Sequence, residues 1–279
     1  MRTGKKTRTE QKERKRDGGR RTEDEGGIGI DSAVDRVPLG VCAGITPFNF
    51  PVMVPMWMWP MAVATGNTFV LKPSEKDPAS ALRATEMAQE AGLPPGVLNL
   101  VHGGRDVVNH LLAHEDITAV SFVGSTSAGE HVYRTAAAHG KRVQCMCGAK
   151  NHSIIMPDAN REAAVDGIVG SAFGNTGQRC LAGSVVVLVG DTPEWFMPAL
   201  IEQSRSINVG PGCESSTAMG PMQDVESRDR VVDYIDIRLK DGADLVLDGR
   251  TSDMPSDGCF VGPSIFDNVT PSMRIASEE

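Results

Sequence analysis

The chain has 279 residues, of which 40% are apolar and 23% are charged, the composition of an ordinary globular protein. Its formal net charge is −8; residues 1–25 hold ten Lys or Arg and six Asp or Glu, which leaves 18 basic against 30 acidic residues elsewhere, a net charge of −12. An acidic body of this kind argues against nucleic acid as the main partner.

The first 27 residues form a basic, hydrophilic head. They show no apolar periodicity and cannot bury surface, so residues 1–27 are predicted to be a disordered tail. A solvated tail is favoured over an arm that binds RNA or DNA.

The sequence shows neither a secretory leader nor a membrane-spanning segment. Its most apolar stretch, residues 52–64, is too short to span a bilayer and contains Pro55 and Pro60. Six cysteines without an export signal are typical of reduced thiols, so a cytoplasmic location is predicted, with a mitochondrial one as the alternative in a eukaryote. Cys145 and Cys147 are too close for a zinc knuckle, and no metal site is predicted.

From Pro38 onward, short β-like runs alternate with helix-like runs, and no strand is predicted before that residue. The alternation predicts an α/β fold with a mostly parallel sheet and helices on both of its faces. The predicted strands are 39–45, 68–72, 97–101, 119–123 and 142–146. One predicted helix ends near residues 65–67, and three others span 79–91, 105–113 and 129–139.

A second βα series begins near residue 153. The boundary between the two series is placed after Gly148, which gives domains at 28–148 and 149–279. Ligands of open α/β sheets bind beside the carboxyl ends of strands, so a crevice is expected there. The second series comprises strands at 153–156, 185–189 and 264–266, helices at 161–173 and 194–206, and the segments 234–239 and 245–247.

Cys180 is the candidate nucleophile. It closes the run FGNTGQRC at 173–180, between a helix-like stretch and the predicted strand at 185–189. A glycine-flanked loop lets the sulfur project into a cleft, and the neighbouring Arg179 can stabilise a thiolate or bind an anionic group of a substrate. A buried structural thiol is the alternative, since most cysteines are of that kind.

The loop TPFNFP at 46–51 presents a single polar side chain, Asn49, between two aromatic residues and two prolines. Such a rigid loop can aim one amide donor. Together with the backbone N–H of Cys180, that donor could hold a developing oxyanion. The alternative is a structural turn in which the asparagine is satisfied locally.

Two further motifs follow predicted strands. Lys72 and Glu75 would emerge at the carboxyl edge of the sheet, where a lysine and a carboxylate can grip ribose hydroxyls, although a solvated turn is the alternative. Gly124 permits close backbone approach, and Ser125 or Thr126 can cap a helix whose N-terminal amides then face a phosphate. The spacing differs from GxGxxG, so this motif alone favours a plain strand–helix turn.

In their joint order and spacing, these motifs resemble the aldehyde dehydrogenase superfamily over about residues 37–279. The strings that carry the resemblance are PFNFP, GNTFVLKPSE, FVGSTSAG and GQRC. The segments RVPLGVCAGITPFNFP and KRVQCMCGAKNHSIIMPDAN are more narrowly similar to the methylmalonate-semialdehyde dehydrogenases, the CoA-acylating branch. The string AKNH at 149–152 carries the most weight in that comparison.

The resemblance implies a Rossmann-type NAD-binding domain over 28–148, followed by an incomplete α/β catalytic domain over 149–279. It makes Cys180 the nucleophile and Asn49 the oxyanion donor, and it assigns Arg179 to the carboxylate of the substrate. The implied NAD contacts are Phe48, Lys72, Glu75, Gly124, Ser125, Gly129 and Glu279, the last of which would hold the nicotinamide ribose.

Met146 departs from the pattern of the hydrolytic members. They carry a Glu two residues before the glycine that corresponds to Gly148, and that Glu activates the deacylating water. Methionine has no group that accepts a proton in this pH range. A thioacyl enzyme without such a base survives until a thiol such as CoA takes the acyl group, as in the acylating branch, where Asn is the usual residue.

The resemblance therefore implies NAD-dependent oxidation of a small-molecule aldehyde, methylmalonate or malonate semialdehyde, with CoA as acyl acceptor and propionyl-CoA or acetyl-CoA as product. A hydrolytic aldehyde dehydrogenase and a non-catalytic fragment are the alternatives. Neither nucleic acid nor a membrane is expected as a partner. Family members are longer on both sides, so the chain is expected to be partial and nearly inactive by itself. A completed chain is expected to form a homo-oligomer, a tetramer by resemblance.

Overall fold

The computed structural model describes residues 21–27 and 30–278, with side-chain burial for 32–236 and 242–278. The chain divides into two compact units. The first takes the described residues up to Thr46 with 51–122 and 132–144, and the second takes 47–50, 123–131 and the residues from Cys145 onward. Sequence reasoning placed a single boundary after Gly148, whereas the second unit also includes two short earlier segments.

The first unit is built on a five-stranded sheet with the strand order β5-β4-β3-β6-β7. Strands β3 to β6 pair in parallel, which confirms the predicted α/β class with a largely parallel sheet. The last residue of β6, the first six residues of α4 and the last two of β7 belong to the second unit. The strands are β3 (Val41–Ile45), β4 (Thr68–Lys72), β5 (Leu98–Leu100), β6 (Ile117–Val123) and β7 (Arg142–Met146), and the helices are α1 (Met53–Ala64), α2 (Ala79–Glu90), α3 (Arg105–Ala113) and α4 (Thr126–Ala138).

The core of this unit forms where β4 packs against the helices. Phe69 and Leu71 alternate along β4 and are both buried, as the two-residue period of a strand requires. Asn67 joins the end of α1 to the start of β3, because its side-chain oxygen accepts from the Leu39 and Gly40 amides at 2.7 and 3.1 Å. This side chain helps to fix where β3 begins.

The second unit combines two short sheets with three longer helices. Strands β8 (His152–Ile155) and β9 (Val185–Leu188) are parallel, and β10 and β11 are antiparallel. Its core contains Ile155, Ile168 and Phe196. The remaining elements are α5 (Arg161–Phe173), α6 (Thr192–Arg205), α7 (Val225–Asp241), β10 (Asp244–Leu247), β11 (Ile265–Asp267) and the single turn α8 (Arg274–Ser277).

A hairpin precedes this fold. Strand β1 (Arg21–Gly27) pairs antiparallel with β2 (Ile30–Asp35). The prediction that no strand precedes Pro38 is therefore wrong. The prediction of a disordered tail over residues 1–27 is also wrong where the tail overlaps β1, and the first 20 residues of that tail lie outside the described part of the chain. Main-chain hydrogen bonds carry the pairing of such a hairpin, so the hydrophilic sequence did not indicate it.

Candidate active site

Cys180 lies half-buried in a turn of the nucleophile loop, which we define as residues 174–184 between α5 and β9. Three consecutive residues of this loop have left-handed backbone conformations: Asn175 (φ 53°), Thr176 (φ 56°) and Gly177 (φ 70°). Glycine adopts that region freely, but a β-branched threonine rarely does. A residue held in such a conformation costs about 1–3 kcal/mol, so the loop must be held by its surroundings.

Side chains of the loop make the contacts that hold it. The hydroxyl of Thr176 is buried and donates to the Gly220 carbonyl at 2.9 Å. The Gln178 side-chain oxygen accepts from the Gln223 amide at 3.1 Å. Both bonds join the loop to the same segment, residues 220–223, and they hold the part of the loop that contains Thr176 and Gln178.

Asn49 is hydrogen-bonded into the nucleophile loop. Its Nδ2 donates to the Gln178 carbonyl at 2.7 Å, and its own carbonyl accepts from the Asn175 side chain at 3.2 Å. A side-chain amide carries two N–H donors, so one remains for another acceptor. Its buried Oδ1 has no partner among the described residues. The structure thus brings the predicted oxyanion donor to the loop that carries Cys180.

Arg179 lies back against the end of α5. Its Nη1 donates to the Gly170 carbonyl at 3.3 Å, and a Cβ atom on Gly174 would lie 2.6 Å from the guanidinium carbon. A cation at this position favours the C-terminal end of the helix. The buried Nε has no partner among the described residues. The role in binding a substrate carboxylate stays a prediction.

Sequence reasoning assigned no role to Asn151, although it lies in the AKNH string. Its side-chain Nδ2 donates to the carbonyls of Cys180 and Ala182, at 2.9 and 3.0 Å. Its position in the sequence was a usable signal, because an asparagine at the start of a predicted strand lies close to the segments that neighbour that strand in the sheet. Its partner could not be read from the sequence, since Cys180 is 29 residues away.

Met146 stands at the end of β7 with 47% of its surface exposed, and its carbonyl accepts from the Gly124 amide at 3.2 Å. Burial raises the pKa of both flanking thiols, and the Cys147 thiol adds to the increase for Cys145. The carboxylate of Glu130 adds to the increase at Cys147. Both thiols are therefore kept protonated near neutral pH, which makes them poor nucleophiles.

The FVGSTSAG segment opens helix α4. The helix begins at Thr126, so the exposed Ser125 directly precedes its first residue. The buried Gly129 donates its amide to the Ser125 carbonyl at 2.9 Å, which closes the first helical turn. Amides earlier in that turn have no intrahelical acceptor, and such groups can bind an anion.

Lys72 and Glu75 lie in the first unit, at the carboxyl end of β4. Lys72 is only 4% exposed, and its Nζ lies 2.8 Å from a Glu75 carboxylate oxygen. The hydrogen bond from Lys72 lowers the pKa of Glu75. The two side chains are therefore bonded to each other, and their contact with a ribose stays a prediction. Phe48 is half-buried in the second unit, and Glu279 lies outside the described residues.

Neither a metal-ligand cluster nor a membrane-spanning helix is found among the described residues. Their His, Cys, Asp and Glu side chains form no cluster of three that could hold a metal ion. None of the helices in that part of the chain is both long and apolar enough to cross a bilayer.

The chain is similar to known proteins over nearly its whole length. It is 54% identical over 252 residues to malonate-semialdehyde dehydrogenase 1 of Geobacillus thermodenitrificans, an alignment of 90% of this chain and 52% of that protein. The methylmalonate-semialdehyde dehydrogenase structure from Oceanimonas doudoroffii superposes with a TM-score of 0.88 at 47% identity, over 93% of this chain and 54% of that one. The chain thus spans about half the length of the curated relatives it matches.

A second solved structure is of a protein assigned as a methylmalonate-semialdehyde dehydrogenase from Sinorhizobium meliloti 1021, complexed with NAD. It superposes with a TM-score of 0.87 at 46% identity, over 92% of this chain and 53% of that one. The model of the aldehyde dehydrogenase family matches residues 8–279. That match and the shared fold show that the chain belongs to the aldehyde dehydrogenase family.

Proposed function

We propose that the protein carrying this sequence oxidises malonate or methylmalonate semialdehyde with NAD and transfers the acyl group to CoA through a thioester on Cys180. The observation that carries the proposal is the hydrogen bond between Asn49 and the nucleophile loop, 2.7 Å long at Gln178. It places an amide donor beside the loop of a candidate nucleophile. The names of the relatives, malonate- and methylmalonate-semialdehyde dehydrogenase, support the choice of substrate.

The first step forms a bond between the Cys180 sulfur and the aldehyde carbon. The electron pair of the carbonyl moves to oxygen, and the free N–H of Asn49 and the backbone N–H of Cys180 stabilise the resulting oxyanion. Bound NAD would supply the hydride acceptor for this step. The Cys180 thiol gives up its proton as the bond to sulfur forms, and loss of hydride from the same carbon then leaves a thioester on Cys180. The carbonyl carbon is thereby oxidised from the aldehyde to the acid level.

The second step transfers the acyl group to CoA. The CoA sulfur attacks the thioester carbon, and the Cys180 thiolate leaves, so no water is consumed. The thioether of Met146 has no proton-accepting group with which to activate water. Cleavage of the bond between the α-carbon and the substrate carboxylate releases CO2, and the α-carbon takes up a proton from water. The products are propionyl-CoA from methylmalonate semialdehyde and acetyl-CoA from malonate semialdehyde.

Two of the motifs that family resemblance assigns to NAD have groups that suit a dinucleotide. In the first unit, the buried ammonium of Lys72 and the Glu75 carboxylate offer a donor and an acceptor for ribose hydroxyls. In the second, the first-turn amides of α4 after Gly124 suit a phosphate. Ser125 and Gly129 belong to that turn, whereas Phe48 and Glu279 are assigned to NAD by family resemblance alone.

Arg179 is proposed to bind the carboxylate of the semialdehyde. It is next to Cys180 in sequence, and its buried Nε has no partner among the described residues. A guanidinium suits a carboxylate because its donors form a planar fork. One donor is already bound to the Gly170 carbonyl, so the carboxylate would take the remaining ones.

A trapping experiment tests the proposal without requiring rapid turnover. The purified chain is incubated with NAD and malonate semialdehyde, without CoA, and the acyl adduct on each cysteine is located by mass spectrometry. We expect the adduct on Cys180, its persistence for minutes in buffer, and its release when CoA is added. The Cys180→Ser variant is the control and should show no adduct. An adduct on another thiol, or loss of the adduct at the same rate without CoA, would refute the proposal.

A further inference from the structure

The last three side chains of the AKNH string make hydrogen bonds with different parts of the structure. Lys150 donates to the Glu278 carbonyl at 2.8 Å, which joins β8 to the segment after α8. The His152 ring contacts the Lys150 carbonyl, so it binds within its own segment. Asn151 is the member that reaches the nucleophile loop. The three residues thus make different connections, and one of them concerns Cys180.

Asn151 contacts the nucleophile loop at two carbonyls and the strand after it at a third point. Its Nδ2 lies 2.9 Å from the Cys180 carbonyl oxygen and 3.0 Å from that of Ala182. The two hydrogens of one amide nitrogen can serve both acceptors. The Asn151 main-chain carbonyl also accepts from the Val185 amide at 3.1 Å. One residue therefore fixes both the turn that bears the sulfur and the start of β9.

Asn151 is joined directly to the paired strand β8. The residue directly precedes β8, whose first residue pairs with Val185 and whose last residue, Ile155, is buried in the core of the second unit. The loop itself contains the left-handed pair Asn175 and Thr176 and has no regular structure around Cys180. The position of the sulfur relative to the sheet therefore depends on the side-chain amide of Asn151.

We propose that Asn151 is a positioning residue for the nucleophile, which holds the Cys180 turn against the start of β8 so that the thiol attacks from a fixed place. The proposal rests on the proposed function, in which Cys180 carries the acyl group. Asn151 touches neither the substrate nor the reacting sulfur in this scheme, and it acts through the Cys180 and Ala182 carbonyls. An alanine would remove both bonds, and an aspartate would also place a carboxylate against two carbonyl oxygens.

Matched variants at Asn160 provide the control. Asn160 belongs to the same unit and caps α5, where its side-chain oxygen accepts from the Ala163 amide at 3.0 Å. Asn160→Asp keeps an acceptor there and adds the same charge as Asn151→Asp. Asn160→Ala removes a structural hydrogen bond that does not involve the nucleophile loop. Thermal melts of the four variants show whether each one folds.

The first readout is the rate at which malonate semialdehyde and NAD acylate Cys180 in a single turnover. In Asn151→Ala and Asn151→Asp we expect this rate to fall about 10- to 100-fold, since displacing a reacting group by about 1 Å can cost 100-fold. The Kd of NAD should change less than about twofold, as positioning rather than binding is lost. The Asn160 variants should acylate like the unmodified chain.

The second readout does not depend on the proposed function. Iodoacetamide labelling at a single pH, followed by mass spectrometry, gives the rate at which the Cys180 thiol is alkylated, and Cys213 in the same sample reports on the rest of the chain. We expect the Cys180 labelling rate to rise relative to that of Cys213 in Asn151→Asp and Asn151→Ala, because a turn that has lost its bonds at the Cys180 and Ala182 carbonyls exposes the half-buried thiol more often. The Cys213 rate and both Asn160 variants should be unchanged.

The two readouts separate the failure of this proposal from the failure of the proposed function. If Cys180 is acylated in no form of the protein, the proposed function is wrong, and the labelling rates alone then test whether Asn151 positions Cys180. A Cys180 labelling rate that is unchanged in folded Asn151 variants, or that changes equally in the Asn160 variants, would overturn the positioning role. Normal acylation in folded Asn151→Ala would overturn it as well.

Discussion

Thr176 shows how a single residue can combine conformational strain with a buried hydrogen bond. Its φ of 56° is unfavourable for a β-branched side chain, yet its hydroxyl reaches the Gly220 carbonyl at 2.9 Å and lies only 8% exposed. Serine would keep the hydroxyl and remove the branch. Valine would keep the branch and remove the donor. The two substitutions therefore separate strain from hydrogen bonding at this position.

We predict that Thr176→Val lowers the free energy of unfolding by about 1–3 kcal/mol, because the Gly220 carbonyl loses its side-chain donor in a buried place. Thr176→Ser, the control, should be as stable as the unmodified chain or more so. Urea denaturation followed by circular dichroism measures both. Equal stability of the valine and serine variants would mean that the hydroxyl does not hold the loop.

Glu75 gives a prediction about pH. The hydrogen bond from Lys72 lowers its pKa below the ordinary 4.5, so the carboxyl binds a proton more readily in the unfolded chain than in the folded one. Its contribution to stability is therefore present above pH 4.5 and is lost as the pH falls below that value. Because 58% of the Glu75 side chain is exposed, the contribution is expected to be small.

The measurement compares thermal melts of the unmodified chain and Glu75→Gln between pH 3 and pH 7. The difference in stability between them should shrink as the pH falls, since only the unmodified chain loses the contribution of the ion pair. Glu115→Gln, at an exposed position, controls for the removal of a carboxyl group. A difference that stayed constant down to the lowest pH would contradict the assigned cause.

At the scale of elements, the sequence indicates a strand or helix best where side chains meet a core with a regular period. Four predicted ranges agree with the structure at both ends: strands 68–72 and 142–146 and helices 105–113 and 161–173. The hairpin of β1 and β2 was missed because main-chain bonds rather than apolar alternation hold it. Most of α7 was missed because its first half is rich in charged residues, which mask the helical period.

Gly44 in β3 shows why packing between elements also constrains the sequence. A Cβ atom at this position would lie 2.6 Å from the Phe69 ring and 3.0 Å from the Met58 sulfur. The strand therefore approaches its neighbours more closely than any residue larger than glycine allows. The sequence places this glycine inside a predicted strand, but it does not indicate which side chains approach it.

We predict that Gly44→Ala destabilises the fold by about 1–3 kcal/mol, the usual cost of overpacking a buried site. Gly167 in α5 is the control, because a Cβ atom there would meet nothing within 4 Å. Gly167→Ala should stabilise the helix by about 0.5–1 kcal/mol. If both variants lost stability equally, close packing against Phe69 would not explain the glycine.

At the scale of the whole molecule, the sequence indicated those site residues whose type and loop are unusual by themselves. Cys180 and Asn49 are of this kind, and the structure brings Asn49 to the nucleophile loop although 129 residues separate it from Gln178. The partners of Asn151 could not be found in this way, because β8 pairs with β9 and the Cys180 carbonyl that Asn151 contacts is 29 residues distant. The contacts of this side chain become visible only when β8 and β9 are paired.

In the proposed function, Met146 leaves the thioester to CoA rather than to water, and one substitution tests this directly. Met146→Glu places a carboxylate at the position where the hydrolytic relatives carry their base, so it should activate water against the Cys180 thioester. General bases contribute about 10²–10⁴-fold to rate, and an unoptimised one should speed the loss of the trapped acyl adduct in CoA-free buffer by about tenfold. Met146→Gln, similar in shape but not basic, is the control and should leave the adduct as persistent as in the unmodified chain. If the unmodified chain already lost its adduct as fast as the glutamate variant, Met146 would not be what directs the acyl group to CoA.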